Sequence, residues 1–425
     1  MRTISKKIKL TTLLLGATVL ITQQVQASEG YFQYAWGARH SALAGAGMAD
    51  VRDATGQIIN PAGIVGLEGS SFNLGLTIFS PKRKYTGGGA PSFTQNGEVK
   101  SGKNYFYIPT IAYTSPIDET SSWGLAMYGN GGMNTTYPAA ARPLPDCPPT
   151  GGAGIFCGGP SGVDLMQGFV AATYAKSFGK ISLGISPLFA FQMFEAKGLA
   201  AFGGFSSDPA NLTDNGHNTT FGFGIKLSVQ ADVSDKMRIA VSYQPKVSMG
   251  KFDKYAGLFE GAGSFDIPAN FSIGVAFDIT DAVAFMADYK HISYSKVGAV
   301  GNPTTVQLPF GADGGPGFGW DNVNAYKAGV EWAQSDNLTL RVGVSTNSNP
   351  IGPEDVTLNI LAPGVVKTRY TAGFEYRTSD TSSFEFAAGY VPNVKVTGPE
   401  QFNPAHTVDI EMHQTVITFA WKKSF

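Results

Sequence analysis

From about Ser70 to Phe425, fourteen short stretches alternate apolar residues with small or polar ones, and the connections between them alternate long and short. In the last stretch Thr415, Ile417, Phe419, Trp421, Lys423 and Phe425 share one strand face, while Gln414, Val416, Thr418, Ala420, Lys422 and Ser424 share the other. A period of two marks a strand whose faces meet different surroundings. The same period recurs at Phe72, Leu74, Leu76 and Ile78, at Phe221, Phe223, Ile225, Leu227 and Val229, at Phe271, Ile273, Val275 and Phe277, and at Phe384, Phe386, Ala388 and Tyr390. It predicts strands near 70–80, 103–115, 121–130, 163–177, 181–194, 218–231, 236–247, 267–279, 282–296, 321–333, 338–347, 366–378, 382–393 and 411–425.

Short turns such as Pro116 to Thr120, Phe178 to Lys180, Asp232 to Asp235, Gln334 to Asn337 and Ser379 to Thr381 separate longer loops at about 81–102, 131–162, 195–217, 248–266, 297–320, 348–365 and 394–410. Short periplasmic turns and long extracellular loops are the asymmetry of outer-membrane barrels, and an even strand number returns both ends to the periplasm. The pattern predicts an all-β chain, a 14-stranded antiparallel transmembrane β-barrel at residues 67–425, ending on the aromatic Phe425. A soluble domain of repeated hairpins shares the period. Its hairpins have no reason to alternate long and short.

Composition narrows this further. Arg2, Lys6, Lys7 and Lys9 precede the apolar run Leu10 to Ile21, and Val25-Gln26-Ala27 offers small residues for cleavage, so residues 1–27 read as an export signal. The run is too short to cross hydrocarbon, which needs about 20 residues. Removing the four cations of the leader leaves 27 lysines and arginines against 32 acidic residues, a net charge of −5 that offers no surface for nucleic acid. Charged residues are 15% of the chain and glycine is 53 of 425 residues, against about 25% and 7% in ordinary globular domains. Low charge with abundant Gly, Phe and Tyr suits strands facing lipid, and no later segment is apolar enough for a membrane helix.

Residues 28–66 break the rhythm. Ala35, Ala38, Ala42, Ala44, Ala46 and Ala49 sit among Gly37, Gly45 and Gly47, and Asn60-Pro61-Ala62-Gly63 closes the segment. It reads as compact turns and short helix, long enough to fill a barrel lumen as a hatch. Gly45-Ala46-Gly47 lacks the third glycine and the strand of a dinucleotide turn. No Gly-x-Ser-x-Gly elbow occurs, and His40, His217, His291, His406 and His413 have no metal-ligand spacing, so no catalytic residue, metal or cofactor is assigned. Cys147 and Cys157, with nine residues between them in a Pro/Gly-rich stretch of an exported chain, are expected to form a disulfide that pins a loop.

Two long loops are unusually apolar. One carries Leu199, Phe202 and Phe205, the other Tyr255, Leu258, Phe259 and Phe265. Exposed apolar clusters mark interaction sites, and a groove between these loops would take a greasy ligand from water. Lys197, Lys251 and Lys254 lie near enough in sequence to meet a carboxylate head group. Gly129-Asn130-Gly131-Gly132 ends the third strand, where glycines mark a turn, or a bend that opens a gap in the wall.

Gly30-Tyr31-Phe32-Gln33, the Ala/Gly-rich run from Ser41 to Asp50, and Asn60-Pro61-Ala62-Gly63 are similar to the N-terminal hatch and Asn-Pro-Ala motif of the FadL/TodX family of outer-membrane transporters. Gly162-Val163-Asp164-Leu165, Ala196-Lys197-Gly198-Leu199, Gly317-Phe318-Gly319-Trp320 and Asn359-Ile360-Leu361-Ala362-Pro363-Gly364 resemble further family stretches, in order over the mature chain. The resemblance implies a bacterial outer-membrane barrel plugged by the hatch. It also implies capture of long-chain fatty acids or other hydrophobic compounds between the third and fourth extracellular loops, transfer to an inner pocket, and lateral exit at a kink in the third strand. The basic residues that hold a fatty-acid carboxylate in the family have no match here: the fifth strand offers Gln192 and Glu195, and no lysine lies between the Gly-Phe-Gly-Trp stretch and Tyr326. Lys423 also stands where an aromatic residue is common.

The expected function is passive uptake by a monomer surrounded by outer-membrane lipid and lipopolysaccharide, with fatty acids or hydrocarbons as partners. An adhesin or phage receptor, for which the loops alone matter, and a barrel esterase or lipase are the alternatives.

Overall fold

The computed structural model describes residues 29–142, 144, 146–147 and 152–425. The leader assigned to residues 1–27 lies outside them. Fourteen long strands form one closed antiparallel sheet: β1 (Ser71–Gly89), β2 (Phe106–Asp118), β3 (Ser121–Asn134), β4 (Gly162–Phe178), β5 (Ile181–Lys197), β6 (Asn218–Ser234), β7 (Met237–Gln244), β8 (Asn270–Thr280), β9 (Val283–Ile292), β10 (Val323–Ala333), β11 (Leu338–Asn347), β12 (Thr368–Ser379), β13 (Ser382–Pro399) and β14 (His406–Ser424). Each pairs with its neighbours in sequence. The ring closes where β1 runs beside β14 from Ser71↔Ser424 to Gly89↔His406.

The two faces are inverted relative to a soluble protein. Outward residues are apolar: Phe223 is 78% exposed, with Leu76, Leu125, Phe277 and Phe384 exposed around the same surface. Inward residues include charges such as Lys226, Lys290, Glu331, Arg341 and Glu385, the last only 1% exposed. Water would drive these groups the other way, so the outer surface faces hydrocarbon. Exposed Trp123, Tyr174, Trp332, Tyr376 and Trp421 ring the end with the short turns, while Tyr107, Tyr243, Tyr326, Tyr370 and Tyr390 ring the end with the long loops. Two aromatic girdles mark two membrane interfaces. No helix among the described residues is long and apolar enough to span.

Strand ends differ from expectation on one side of the barrel. β1, β13 and β14 continue past the upper girdle, and the last loop shrinks to residues 400–405. The outward side chains there are charged: Lys84 meets Glu98 at 2.7 Å and Glu411 at 3.5 Å, and Asp409 pairs with Lys395. Above the bilayer the ladder persists while the apolar alternation that reveals it does not. A short strand, Gly97–Lys100, folds back on β1 and completes this arm.

Residues 29–66 pack inside the ring. They form the helix α1 (Gly37–Ala42) and two 3₁₀ turns, Ala54–Ile58 and Pro61–Gly66, and touch inward faces from β1 to β6 and from β11 to β14. Two inward glycines make the room: a Cβ on Gly184 would lie 2.2 Å from the Ala62 nitrogen, and one on Gly343 2.3 Å from the Leu43 carbonyl carbon. Thr371 donates its hydroxyl to the Ala42 carbonyl at 2.7 Å, and Asn73 accepts from the Ala54 amide at 3.2 Å.

A layer of charge fastens this segment to the wall. Arg39 bridges Asp50 at 2.7 Å and Glu331 on β10 at 2.8 Å. Glu331 also takes Arg341 on β11 at 2.6 Å, and Arg341 continues to Glu375 on β12 and Glu385 on β13. Arg238 on β7 reaches Asp50 at 3.1 Å and Asp278 on β8 at 2.9 Å. Burial opposes the charge on Asp50, but Arg39, Arg52 and Arg238 outweigh it and hold the carboxyl below the usual range. Removing one partner of such a network strands the others in a dry interior. Arg39→Met is therefore expected to destabilise the folded chain by about 3–5 kcal/mol, read from guanidinium unfolding in detergent; an unchanged midpoint would contradict the network's role.

Candidate functional site

The loops at 198–217 and 245–269 fold against each other over the barrel mouth. The Gly257 amide donates to the Asn211 carbonyl at 2.9 Å, and Ser206 donates to the Gly257 carbonyl at 2.7 Å. Phe194 at the top of β5 carries the rings of Tyr255 and Phe259 at 4.9 and 4.8 Å, and Phe259 meets Phe265 at 5.0 Å. Between these loops and those at 297–320 and 348–365 lies an apolar cavity of about 30 Å³. That is room for one water molecule, so a ligand enters only if the loops part.

Leu199, Phe202, Leu258 and Phe259 line this cavity. Tyr255 and Phe265 are fully buried beneath it, the Tyr255 hydroxyl donating to the Gly216 carbonyl at 2.8 Å. Phe205 lies outside, 58% exposed and 6.1 Å from Phe402. Lys197 is also elsewhere. It pairs with Glu195 at 3.1 Å and lines a separate polar hollow of about 250 Å³ with Lys103, Asp164 and His217. Lys254 donates to the His217 carbonyl at 3.0 Å, and no lysine or arginine lines the apolar cavity.

Sequence reasoning passed over the other half of the lining, Phe310, Phe318, Leu358 and Leu361. For Phe318 and Leu361 the signal lies in Gly317-Phe318-Gly319-Trp320 and Asn359-Ile360-Leu361, two of the stretches that resemble the family's. The disulfide Cys147–Cys157 closes the loop at 135–161. That loop delivers Phe156 to within 5.4 Å of Phe202, and Phe93 joins at 4.9 Å.

Below the cavity the wall is interrupted. β2 pairs with β1 as far as Phe79↔Phe106, yet its pairing with β3 stops at Thr110↔Tyr128. The register of β3 against β4 shifts between Gly129 and Gly131, leaving Asn130 as a bulge. Beyond Tyr128 the free edge of β3 is met from inside by residues 31–36, here called the strap. Gln33 donates to the Asn130 carbonyl and Gly132 to the Tyr31 carbonyl, both at 2.9 Å, and the Trp36 indole donates to the Gly129 carbonyl at 2.7 Å. Gly131 has to be glycine, because a Cβ there would lie 1.9 Å from the Tyr31 oxygen.

The strap is anchored at its base. The Tyr31 ring lies 5.0 Å from Tyr294, 6.0 Å from Trp320 and 6.1 Å from Phe265. The Tyr294 hydroxyl accepts from the Tyr31 and Phe32 amides at 3.1 Å and donates to the Glu29 carbonyl at 2.5 Å. Further along, Asn60 donates to the Met48 carbonyl at 2.8 Å and to Gln230 at 2.7 Å, Pro61 opens its 3₁₀ turn, the Ala62 amide donates to Ser228 at 2.7 Å, and Gly63 packs on Val51.

A closed fourteen-stranded barrel with a lipid-facing exterior, a charged interior and a buried N-terminal segment defines an outer-membrane barrel whose lumen is occupied by its own chain. The chain belongs to the family described as outer membrane protein transport protein (OMPP1/FadL/TodX), whose model matches residues 18–143 and 170–425. Its fold is similar to that of the Pseudomonas putida toluene transporter TodX, at TM-score 0.65 and 16% identity over 94% of this chain and 99% of that one. It is also similar to a Pseudomonas aeruginosa FadL homologue, at 0.68 and 16% over 93% and 100%. The monoaromatic hydrocarbon channel CymD matches at 0.59 and 17% over 94% and 99%. At such identities the likeness is one of fold. No curated protein matches the chain.

Gly131→Leu is expected to push residues 31–33 off β3. Hydrogen exchange by mass spectrometry would then rise at least about tenfold at Gln33 and Gly132, whose protecting bonds each contribute on the order of 1 kcal/mol. Unchanged protection at both amides would contradict this geometry.

Proposed function

We propose that this protein takes up hydrophobic compounds across the outer membrane by passive diffusion, with aromatic and aliphatic hydrocarbons favoured over fatty acids at the point of capture. The mature chain, freed of its leader at residues 1–27, acts as a monomer in which residues 28–66 serve as a hatch and residues 67–425 as the barrel. A ligand leaves water for the groove between the loops at 198–217 and 245–269. Leu199, Phe202, Leu258 and Phe259 receive it, Tyr255 and Phe265 support them, and Phe205 extends the greasy surface outward. Each methylene taken from water contributes about 0.8 kcal/mol, so dispersed apolar contacts suffice for capture. Lys197 stays with Glu195 and leaves the ligand to apolar contacts.

The hatch then shifts, with Asn60, Pro61, Ala62 and Gly63 keeping its far end on β5 and β6. The strap lifts from Gly129–Gly132, and the ligand leaves sideways into the bilayer between β2 and β3. The observation that carries this reading is the interrupted wall: from Gly129 to Gly132 the edge of β3 that β2 no longer pairs with is met by three hydrogen bonds to the strap, while β4 holds its other edge. The family membership and the printed roles of TodX as a toluene transporter and CymD as a monoaromatic hydrocarbon channel support the substrate class. No chemical step is required of any residue.

The test is uptake of radiolabelled toluene and palmitate at limiting concentration by cells or liposomes carrying the protein. Uptake faster than in empty controls is expected, with toluene gaining more; equal rates would sink the proposal. Phe202→Asp places an uncompensated carboxylate in the cavity and is expected to lower uptake about tenfold or more, the equivalent of about 1.4 kcal/mol, with outer-membrane yield unchanged. Ester hydrolysis by the purified protein would favour the esterase alternative instead.

A further inference from the structure

The polar hollow beside Lys197 has no part in the uptake route. It opens on the outside of the wall, because Glu195 and Lys197 lie on the face of β5 that also carries exposed Ile181, Leu183 and Phe189, and Asp164 stands opposite Glu195 in the ladder of β4 and β5. Its height is set by Lys103. That residue comes four before Tyr107 of the upper girdle, up to about 13 Å along an extended chain. The hollow therefore sits above the hydrocarbon, among the head groups of the outer leaflet. It also tops the interrupted wall: Lys103 leads into β2, Asn134 ends β3, and Asp164 on β4 is paired with Asn134.

The lining is balanced in charge but short of hydrogen-bond donors. Two carboxylates, Asp164 and Glu195, face two ammonium groups, Lys103 and Lys197, and of these four only Lys197 and Glu195 pair with each other, at 3.1 Å. His217 reaches Asp164 at 3.2 Å and Glu195 at 3.8 Å. Asn134 and Asp164 are 5% and 8% exposed, and the Oδ1 oxygen of each accepts no hydrogen bond of good geometry. A buried acceptor without a donor is costly. The group that suits these oxygens donates hydrogen bonds and carries no net charge, since an anion would meet Asp164 and Glu195 and a cation would meet the lysines. Sugar hydroxyls donate and accept alike. A volume of about 250 Å³, against roughly 30 Å³ for one water, admits a sugar ring.

A second feature lies on the same outer face. Lys82 on β1 stands directly opposite His413 on β14, both outward, and the Lys82 ammonium lies 5.0 Å over the ring of exposed Tyr105, two residues along from Lys103. Lys84, the next outward residue, is neutralised by Glu98 and Glu411. Lys82 and His413 have no ion-pair partner within 4 Å among the described residues. A head-group phosphate suits such a pair. We infer that the outer wall carries a seat for lipopolysaccharide, in which one sugar of the head group enters the hollow and a phosphate rests on Lys82 and His413. The acyl chains continue down the apolar wall beside the gap between β2 and β3. A free sugar gains nothing from Lys82 or from that wall, so the lipid is the occupant. The inference does not rest on the uptake route: a barrel that moves no toluene can still hold the lipid.

The test titrates the full chain in detergent with deep-rough lipopolysaccharide and, separately, with phosphatidic acid, which has a phosphate and acyl chains but no sugar, and reads the bound fraction by native mass spectrometry. Lipopolysaccharide is expected to bind at least tenfold more tightly. Asp164→Leu is expected to remove at least fivefold of that preference while leaving phosphatidic acid unchanged, and Lys82→Ala to weaken binding of both lipids at least threefold. Folding is checked by heat-modifiable migration on gels. If D164L does not fold, Thr136→Trp fills the hollow from its exposed rim and carries the same expectation. Equal affinity for the two lipids, a preference that survives blocking the hollow, or lipopolysaccharide binding unaffected by K82A would overturn the seat.

Discussion

A backbone amide or carbonyl that faces hydrocarbon has no water to bond, so a sheet in a bilayer must close on itself or expose unmet hydrogen bonds at its edges. Everything else in this structure follows from how that requirement is met. Nineteen residues of β1 run beside β14 and join the ends. Closure fixes an inside and an outside, and the alternation of side chains then sends Leu, Phe and Val to the lipid and Lys, Glu and Arg to the lumen. At one place where the ladder fails, the upper edge of β3, another part of the chain supplies the missing partners.

That exchange makes the interrupted wall conditional. A bulge in a soluble sheet costs a bond that water restores. Here the bonds at Asn130 and Gly132 are made to Gln33 and Tyr31, on a segment about 35 residues ahead of its covalent link to β1 and held at this end through packing and polar contacts. Its far part is fastened by Arg39 and its layer of ion pairs, and its near part by Tyr294 and by Lys290 and Lys327 around Glu29. The motion we propose is that of residues 31–36, between these anchors and β3. The charged layer also bars an apolar ligand from continuing down the lumen, because passage would mean separating buried ions. The sideways path we propose needs only the short strap to move.

How much of this was readable in the sequence depends on whether a physical constraint left a local trace. Lipid on one face and lumen on the other impose a period of two, so all fourteen strands were legible. The upper ends of β13 and β14 were not, since beyond the bilayer ion pairs such as Lys395–Asp409 replace outward apolar residues. The segment at 29–66 was legible as an exception to the rhythm. The loops gave only half the cavity, because Phe310, Phe318, Leu358 and Leu361 lie in stretches without a period, gathered by tertiary contacts. Lys197 stands two residues before Leu199, but Gly198, at φ +74°, turns the chain between them and sends the lysine to another hollow. Glu29 and Lys290 were illegible as a pair, since nothing local links residues 261 positions apart.

The claim that most needs testing is that ligand leaves through the interruption in β3. Deleting Asn130 would remove the bulge and let β3 continue in register with β4 and pair with β2 along its upper edge. The measurement is toluene uptake at limiting concentration by cells carrying this deletion, with the folded barrel quantified in the outer membrane. Uptake no faster than in cells without the protein is expected, at unchanged barrel levels. Uptake at the rate of the unmodified chain, with the wall sealed, would contradict it.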